Sequence, residues 1–158
     1  MTKRRFRPSW HQYFIDIAMA ISKRSTCIRR QYGSIIVNNN IIISTGYNGA
    51  PRGVVNCIDE DSCVREELNI PSRERYELCL AVHSEQNAIM QGNARDVIGG
   101  TIYIAGTNND GTIAPCAPCL MCCRAIINAQ IALVIYMDKS GSYTMRRPDQ
   151  LPIAERRE

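Results

Sequence analysis

No run of apolar residues in this 158-residue chain approaches the ~20 that a membrane-spanning helix needs. The start, MTKRRFRPSW, is basic, but no apolar segment follows it, so no secretory signal is expected. Internal repeats and low-complexity linkers are also missing. At this length one domain with a real core is expected over 1–158, and a second domain is not. The content of 45% apolar and 22% charged residues excludes a disordered chain. Net charge is only +4, too little for a large basic surface, and much of the excess sits at the ends. Lys3, Arg4, Arg5 and Arg7 open the chain; Arg146, Arg147, Arg156 and Arg157 close it. Solvated tails explain that clustering, and a mild positive charge also suits a small anionic ligand.

Cysteine, by contrast, is abundant: eight residues. In the reducing, cytoplasmic setting expected without a secretory signal, clustered cysteines bind metal or do chemistry more often than they form disulfides. Four of them fall in CAPCLMCC at 116–123, where Pro-Cys-x-x-Cys occurs twice in overlapping frames.

The periodicity predicts a helix over 10–23, with Trp10, Phe14, Ile17 and Ile21 at helical spacing and Ser9 with Gln12 as a capping box. His11, near its start, reads as a surface residue. Two β-branched runs, 34–37 and 41–47, flank Asn38-Asn39-Asn40 and predict a β-hairpin. GYNGAPRG at 46–53 breaks regular structure. Residues 54–82 carry Cys57, Cys63 and Cys79 without clean periodicity, and so long an irregular connection needs something to tie it down. Helices are predicted over 83–95 and 119–130, with strands at 101–106 and 132–137. The order α-β-β-loop-α-β-α-β implies a layered α/β domain whose later strands are parallel.

His83-Ser84-Glu85 opens one of these helices and a Pro-Cys-x-x-Cys opens the next. Two cysteines three residues apart at a helix start can both reach one zinc, and the helix N-terminus favours their thiolate form. His83 supplies a third ligand, which leaves one tetrahedral position open, as in a catalytic site. Glu85 then stands where it can move protons. Each motif alone is common. Together, in this order and at helix starts, they match the signature already known for zinc-dependent base deaminases. The reaction implied is hydrolytic deamination, with Glu85 as the general acid–base.

Local physics favours one frame of the overlap. If Cys116 and Cys119 were the ligands, Ala117 would need helical geometry before Pro118, which proline disfavours. With Cys119 and Cys122, Pro118 sits at the helix start, where its missing N–H costs nothing. Proline is tolerated in a first turn, so Cys116 stays open as an alternative ligand.

The stretches STC at 25–27, GYNGAPRG at 46–53, ELCLAVHSEQNAI at 77–89, TIYI at 101–104 and PCLMCCRAIINAQI at 118–131 resemble the deoxycytidylate (dCMP) deaminases of the zinc-dependent cytidine deaminase superfamily. They cover most of the expected core, 10–137. The resemblance implies a three-layer α/β/α domain with a mixed central sheet. It implies conversion of dCMP to dUMP, toward thymidylate. It also selects Cys119 and Cys122, and makes Asn48 a sugar contact. Ser25, Arg29 and Arg30 are candidates for the 5′-phosphate. Gly46, Tyr47, Gly49 and Gly53 match a stretch that binds dCTP or dTTP effectors, with Mg²⁺, in regulated members. Cys27, Cys57, Cys63 and Cys79 would form a second, structural zinc site that orders residues 54–82, and a homo-oligomer, a hexamer, is implied. Cys123 reads as core. The rival readings are another deaminase, acting on cytidine, a free base or tRNA adenosine, and a zinc-stabilised nucleic-acid-binding module.

Overall fold

The computed structural model describes residues 6–154. Lys3, Arg4, Arg5, Arg156 and Arg157 lie outside the described residues. A five-stranded mixed sheet runs in the order β2-β1-β3-β4-β5. Its strands are β1 (Arg30–Asn38), β2 (Ile41–Tyr47), β3 (Thr101–Asn108), β4 (Leu133–Met137) and β5 (Tyr143–Arg146). The helices are α1 (Trp10–Ser22), α2 (Cys57–Glu60), α3 (Val64–Glu67), α4 (Ser84–Gln91), α5 (Ala94–Val97) and α6 (Leu120–Asn128). None of the described helices is long and apolar enough to cross a membrane.

Helix α1 lies over the expected span, but its buried side chains are Phe14, Ile15, Ala18 and Ser22, and Trp10 is half exposed. The packed stripe is therefore turned from the expected one. The capping box is half formed: Ser9 Oγ accepts from Gln12 N–H (3.1 Å), but the Gln12 side chain donates to Asp16 instead of reaching back. His11 is not a surface residue. It is half buried, with Nδ1 2.9 Å from the Tyr103 hydroxyl.

The hairpin turn rests on Asn39 and Asn40, both left-handed at φ 50° and 61°, a backbone that asparagine tolerates better than most residues. β1 starts earlier than its β-branched run suggests, because Arg30 through Gly33 pair with β3, Arg30 opposite Asn108. β3 and β4 are parallel, as a crossover through α6 requires. β5 returns antiparallel to β4, so the expectation of parallel later strands holds for one pair only. Its entry is a turn in which Asp138 Oδ1 accepts from the N–H groups of Ser140 (2.8 Å) and Ser142 (3.2 Å). The helix expected over 83–95 breaks at Gly92. Asn93 Oδ1 accepts from Arg95 N–H (3.0 Å) and so caps α5 as a new helix.

Residues 54–82 are more ordered than their lack of period suggests. They form α2, α3 and a 3₁₀ turn at Tyr76–Leu78. Backbone bonds tie the segment down: Ile58 N–H to Thr26 O (3.2 Å), and a two-way bridge between Val82 and Gly49 (2.8 and 3.2 Å).

Two glycines set the layers. A Cβ on Gly33 would overlap the Ala18 carbonyl and come within 2.5 Å of Ser22 N, so α1 packs directly on that face. The next residue along β1, Ser34, points to the opposite face and meets Ser84 of α4. Gly46, paired with Ser34, would likewise drive a Cβ into the Ser84 carbonyl and Ala88 N. Helices therefore cover both faces of the sheet, and α6 lies beside α4. Gly33→Ala should wedge α1 off the sheet. We expect a loss of about 1–3 kcal/mol, typical of overpacking, and a thermal midpoint lower by roughly 2–12 °C for a chain of this size. Calorimetry of the variant checks this.

Candidate active site

The first turns of α4 and α6 converge at one end of the sheet. His83 is the N-cap of α4 and Cys119 the N-cap of α6, each one position before its helix. Cys119 therefore precedes the first turn rather than occupying it. Its sulfur accepts from Cys122 N–H at 3.5 Å, as a serine cap would. His83 Nδ1 lies 3.5 Å from Cys119 Sγ and 3.3 Å from Cys122 Sγ. These three ligand atoms sit within 4.8 Å of one another, and among the described residues they are the one His/Cys/Asp/Glu group so arranged. Tetrahedral zinc with bonds of ~2.0 Å to nitrogen and ~2.3 Å to sulfur would hold such atoms ~3.5 Å apart, so the donor set fits that metal.

The electrostatics agree with a cation at this place. The Cys122 thiol donates to Cys119 and holds it as thiolate, and His83 adds to this, so the Cys119 pKa falls far below the usual thiol range. The same bond and burial push the Cys122 thiol up. For His83, burial pulls the pKa down, but the Cys119 bond and the Glu85 charge outweigh it and the pKa rises. A divalent cation held by His83, Cys119 and Cys122 would favour the thiolate form of both sulfurs.

Glu85, 7% exposed in the first turn of α4, faces the same space. Ser84 Oγ donates to Glu85 Oε2 (3.1 Å) and is itself 2.8 Å from Ser34 Oγ, so β1 orients the carboxylate. Burial raises its pKa, offset in part by His83. A cavity of about 360 Å³ opens over these groups.

The model of the cytidine and deoxycytidylate deaminase zinc-binding region matches residues 8–138. The chain belongs to this family. A deoxycytidylate deaminase of Schizosaccharomyces pombe is 36% identical over 132 residues, 84% of this chain and 38% of the relative. This chain thus spans well under half of that protein. One from Mycobacterium phage D29 is 34% identical over 85% of this chain and 98% of its own length. Among solved structures, the dCMP deaminase of cyanophage S-TIM5 in complex with dCMP and dUMP is 25% identical, with TM-score 0.59 over 84% of this chain and 83% of that one. The family's zinc-binding region contains His83, Cys119 and Cys122, and Zn²⁺ is the metal it implies.

Cys116 stands apart from the group formed by His83, Cys119 and Cys122. It is buried, its thiol donates to Ala114 O (3.1 Å), and burial pushes it up to about 12. Cys123 is fully buried, as expected of a core residue, and its thiol donates to Pro118 O (3.6 Å). Cys27, Cys57, Cys63 and Cys79 all line the cavity but do not close into a group of the His83 kind. Burial raises the Cys57 and Cys79 thiols.

Asn48 lines the cavity with its amide fixed by the backbone. Oδ1 accepts from Tyr32 N–H (2.7 Å) and Nδ2 donates to Arg30 O (2.9 Å). Ser25 does not line the cavity; its buried hydroxyl lies 2.8 Å from Asn48 O and 2.7 Å from Asn48 Oδ1. Arg29 pairs with Glu66 (3.2 Å), and Arg30 Nη1 lies 3.4 Å from Ser72 Oγ at the cavity rim. In the Gly-rich stretch, Gly46 packs on α4, the Tyr47 carbonyl accepts from Asn87, and the Gly49 N–H is bonded to Val82. Gly53, left-handed at φ 80°, is the exposed one.

Sequence reasoning missed Arg65, Tyr76, Ser72 and Arg73 as cavity residues. They lie in the aperiodic segment 54–82, where no spacing says which side chains turn inward. Ser84 was legible as a residue of the motif, but its link to Ser34 is made only by packing.

Proposed function

We propose that this chain hydrolyses dCMP to dUMP and ammonia at the His83–Cys119–Cys122 site. The observation that carries this is one cavity lined by two kinds of group. His83, Cys119 and the buried Glu85 carboxylate line it, and so do Arg29, Arg30, Ser72 and Arg73. A neutral nucleoside has no use for those guanidinium groups, whereas a 5′-phosphate does. The relatives named for deoxycytidylate, and the phage structure that holds dCMP and dUMP, support the same substrate.

His83, Cys119 and Cys122 would hold the zinc, which when bound supplies Lewis acidity that activates water near neutral pH. Glu85 takes a proton from the attacking water and passes it to the pyrimidine N3. It then takes the second water proton from the new C4 hydroxyl and gives it to the departing amine as the C4–N bond breaks and the C4 carbonyl forms, so water and dCMP become dUMP and ammonia. Ser84 and Ser34 keep its carboxylate aimed into the cavity. Asn48, with one N–H committed to Arg30 O, has a second free for the sugar. Arg29, Arg30, Ser72 and Arg73 receive the phosphate, and Ser25 acts through Asn48.

A second, structural zinc on Cys27, Cys57, Cys63 and Cys79 would raise the metal content to two per chain; its support is that all four thiols border one cavity. Regulation by dCTP or dTTP with Mg²⁺, and assembly into a homo-oligomer, rest on family likeness. For an effector's phosphates, Gly53 offers the exposed turn.

Ammonia release from dCMP, deoxycytidine, cytidine, cytosine and a tRNA stem-loop tests the substrate. We expect dCMP to be favoured over deoxycytidine by roughly 10–200-fold in kcat/KM, the worth of one charged hydrogen bond. A zinc-loaded protein inactive on dCMP overturns the proposal.

A further inference from the structure

We propose that the segment 54–82 reaches back to the metal centre, with Tyr76, backed by Arg65, acting as a positioning residue for the His83 imidazole. This rests on His83 being a zinc ligand.

Helix α4 fixes the backbone of His83 but not the angle of its ring. A metal-bound histidine usually has that angle fixed by a hydrogen bond from its other nitrogen to a carboxylate or carbonyl. Here the bonds of the ring to described protein groups are the two from Nδ1 to the sulfurs. What braces the ring is Tyr76. The two rings meet edge to face, with centroids 5.0 Å apart and planes at 87°. That arrangement aims the positive edge of one aromatic at the negative face of the other and resists rotation of either.

Tyr76 is in turn held from behind. The Arg65 guanidinium lies over its ring, 4.6 Å from the centroid. Arg65 is only 4% exposed, a rare state for an arginine, and forms no ion pair among the described residues. Its donors go to backbone carbonyls instead: Nη1 to Glu74 and Nη2 to Pro71 (2.7 Å). A buried guanidinium so engaged cannot be freed without leaving its N–H donors unsatisfied, so it forms a stiff support. The loop is bent to provide it. Arg73 and Arg75 are both left-handed, at φ 74° and 46°, a backbone that non-glycine residues adopt at a cost. Strain is thereby held in the five residues 71–75, which aim the Pro71 and Glu74 carbonyls inward and deliver Tyr76 to His83.

The stack Arg65–Tyr76–His83 therefore links a segment with no ligand of the triad to the geometry of the triad. Its effect should appear in metal binding before it appears in turnover. The test uses the full chain loaded with zinc, and compares Tyr76→Leu, Tyr76→Phe and Arg65→Met. One readout is the rate of zinc release to a chelator without substrate. The other is the visible spectrum of the cobalt-substituted protein. We expect Tyr76→Leu and Arg65→Met to lose zinc on the order of 10–100-fold faster, as outer-shell changes do, with a shifted cobalt spectrum. Tyr76→Phe, which keeps the ring, should behave as the parent does. Should Arg65→Met fail to fold, the two Tyr76 variants decide.

Unchanged zinc release and cobalt spectrum in Tyr76→Leu, with a raised KM for dCMP, would make Tyr76 a substrate contact and overturn the proposal. So would Tyr76→Phe losing zinc as fast as Tyr76→Leu, since the ring would then not be the brace. A parent chain that binds no zinc overturns the metal reading itself, a result seen before any variant is compared.

Discussion

Glu85→Gln should retain zinc and lose nearly all turnover of dCMP. The substitution keeps the shape of a side chain that is 7% exposed, and the amide oxygen can still accept from Ser84 Oγ. What it removes is the capacity to take a proton and give it back. Acid–base help of this kind is worth about 10²–10⁴ in rate. In the proposed reaction Glu85 serves both the ring nitrogen and the leaving amine, so the loss should fall toward the upper end. Metal content and kcat measured on the same preparation separate this from a broken site. A variant that keeps its zinc and more than about a tenth of parental kcat would remove Glu85 from the proton path. The same variant tests the rival reading as a nucleic-acid-binding module, for which the carboxylate has no task.

The parts of this site that were legible in the sequence are those whose geometry is local. His83 and Glu85 are two residues apart at a helix start, and Cys119 and Cys122 are three apart at another. Such spacings survive into the fold because a helix terminus has one shape. The hairpin was legible for the same reason, since Asn39 and Asn40 carry their turn conformation in their own chemistry. Elements decided by distant partners were not. β5 is four residues of half-exposed edge strand, ordered by β4 and by the Asp138 turn. The break after α4 needed Asn93 to compete for the backbone against a run that otherwise reads as helix. Arg65 lies in an aperiodic segment, where no spacing marks it as buried. Its burial depends on carbonyls supplied by Pro71 and Glu74, which no period encodes.

The two overlapping Pro-Cys-x-x-Cys frames give the other large effect. Cys119 and Cys122 stand 3.5 and 3.3 Å from His83 Nδ1, whereas the Cys116 thiol is spent on the Ala114 carbonyl. A serine hydroxyl does not replace a soft thiolate on zinc. Losing either ligand should weaken zinc by more than the roughly 10–100-fold that outer-shell changes cost. A serine at 116 can keep the bond to Ala114 and need not disturb the metal.

The most direct measurement is therefore zinc per chain together with dCMP turnover in Cys116→Ser, Cys119→Ser and Cys122→Ser. The account predicts that Cys119→Ser and Cys122→Ser lose both the His83-bound zinc and the activity. It predicts that Cys116→Ser keeps both, with turnover within about threefold of the parent, as expected for a cavity residue whose thiol is bonded to the Ala114 carbonyl and lies outside the His83 donor group. A Cys116→Ser protein without zinc or activity, beside a Cys122→Ser protein that retains them, would contradict it.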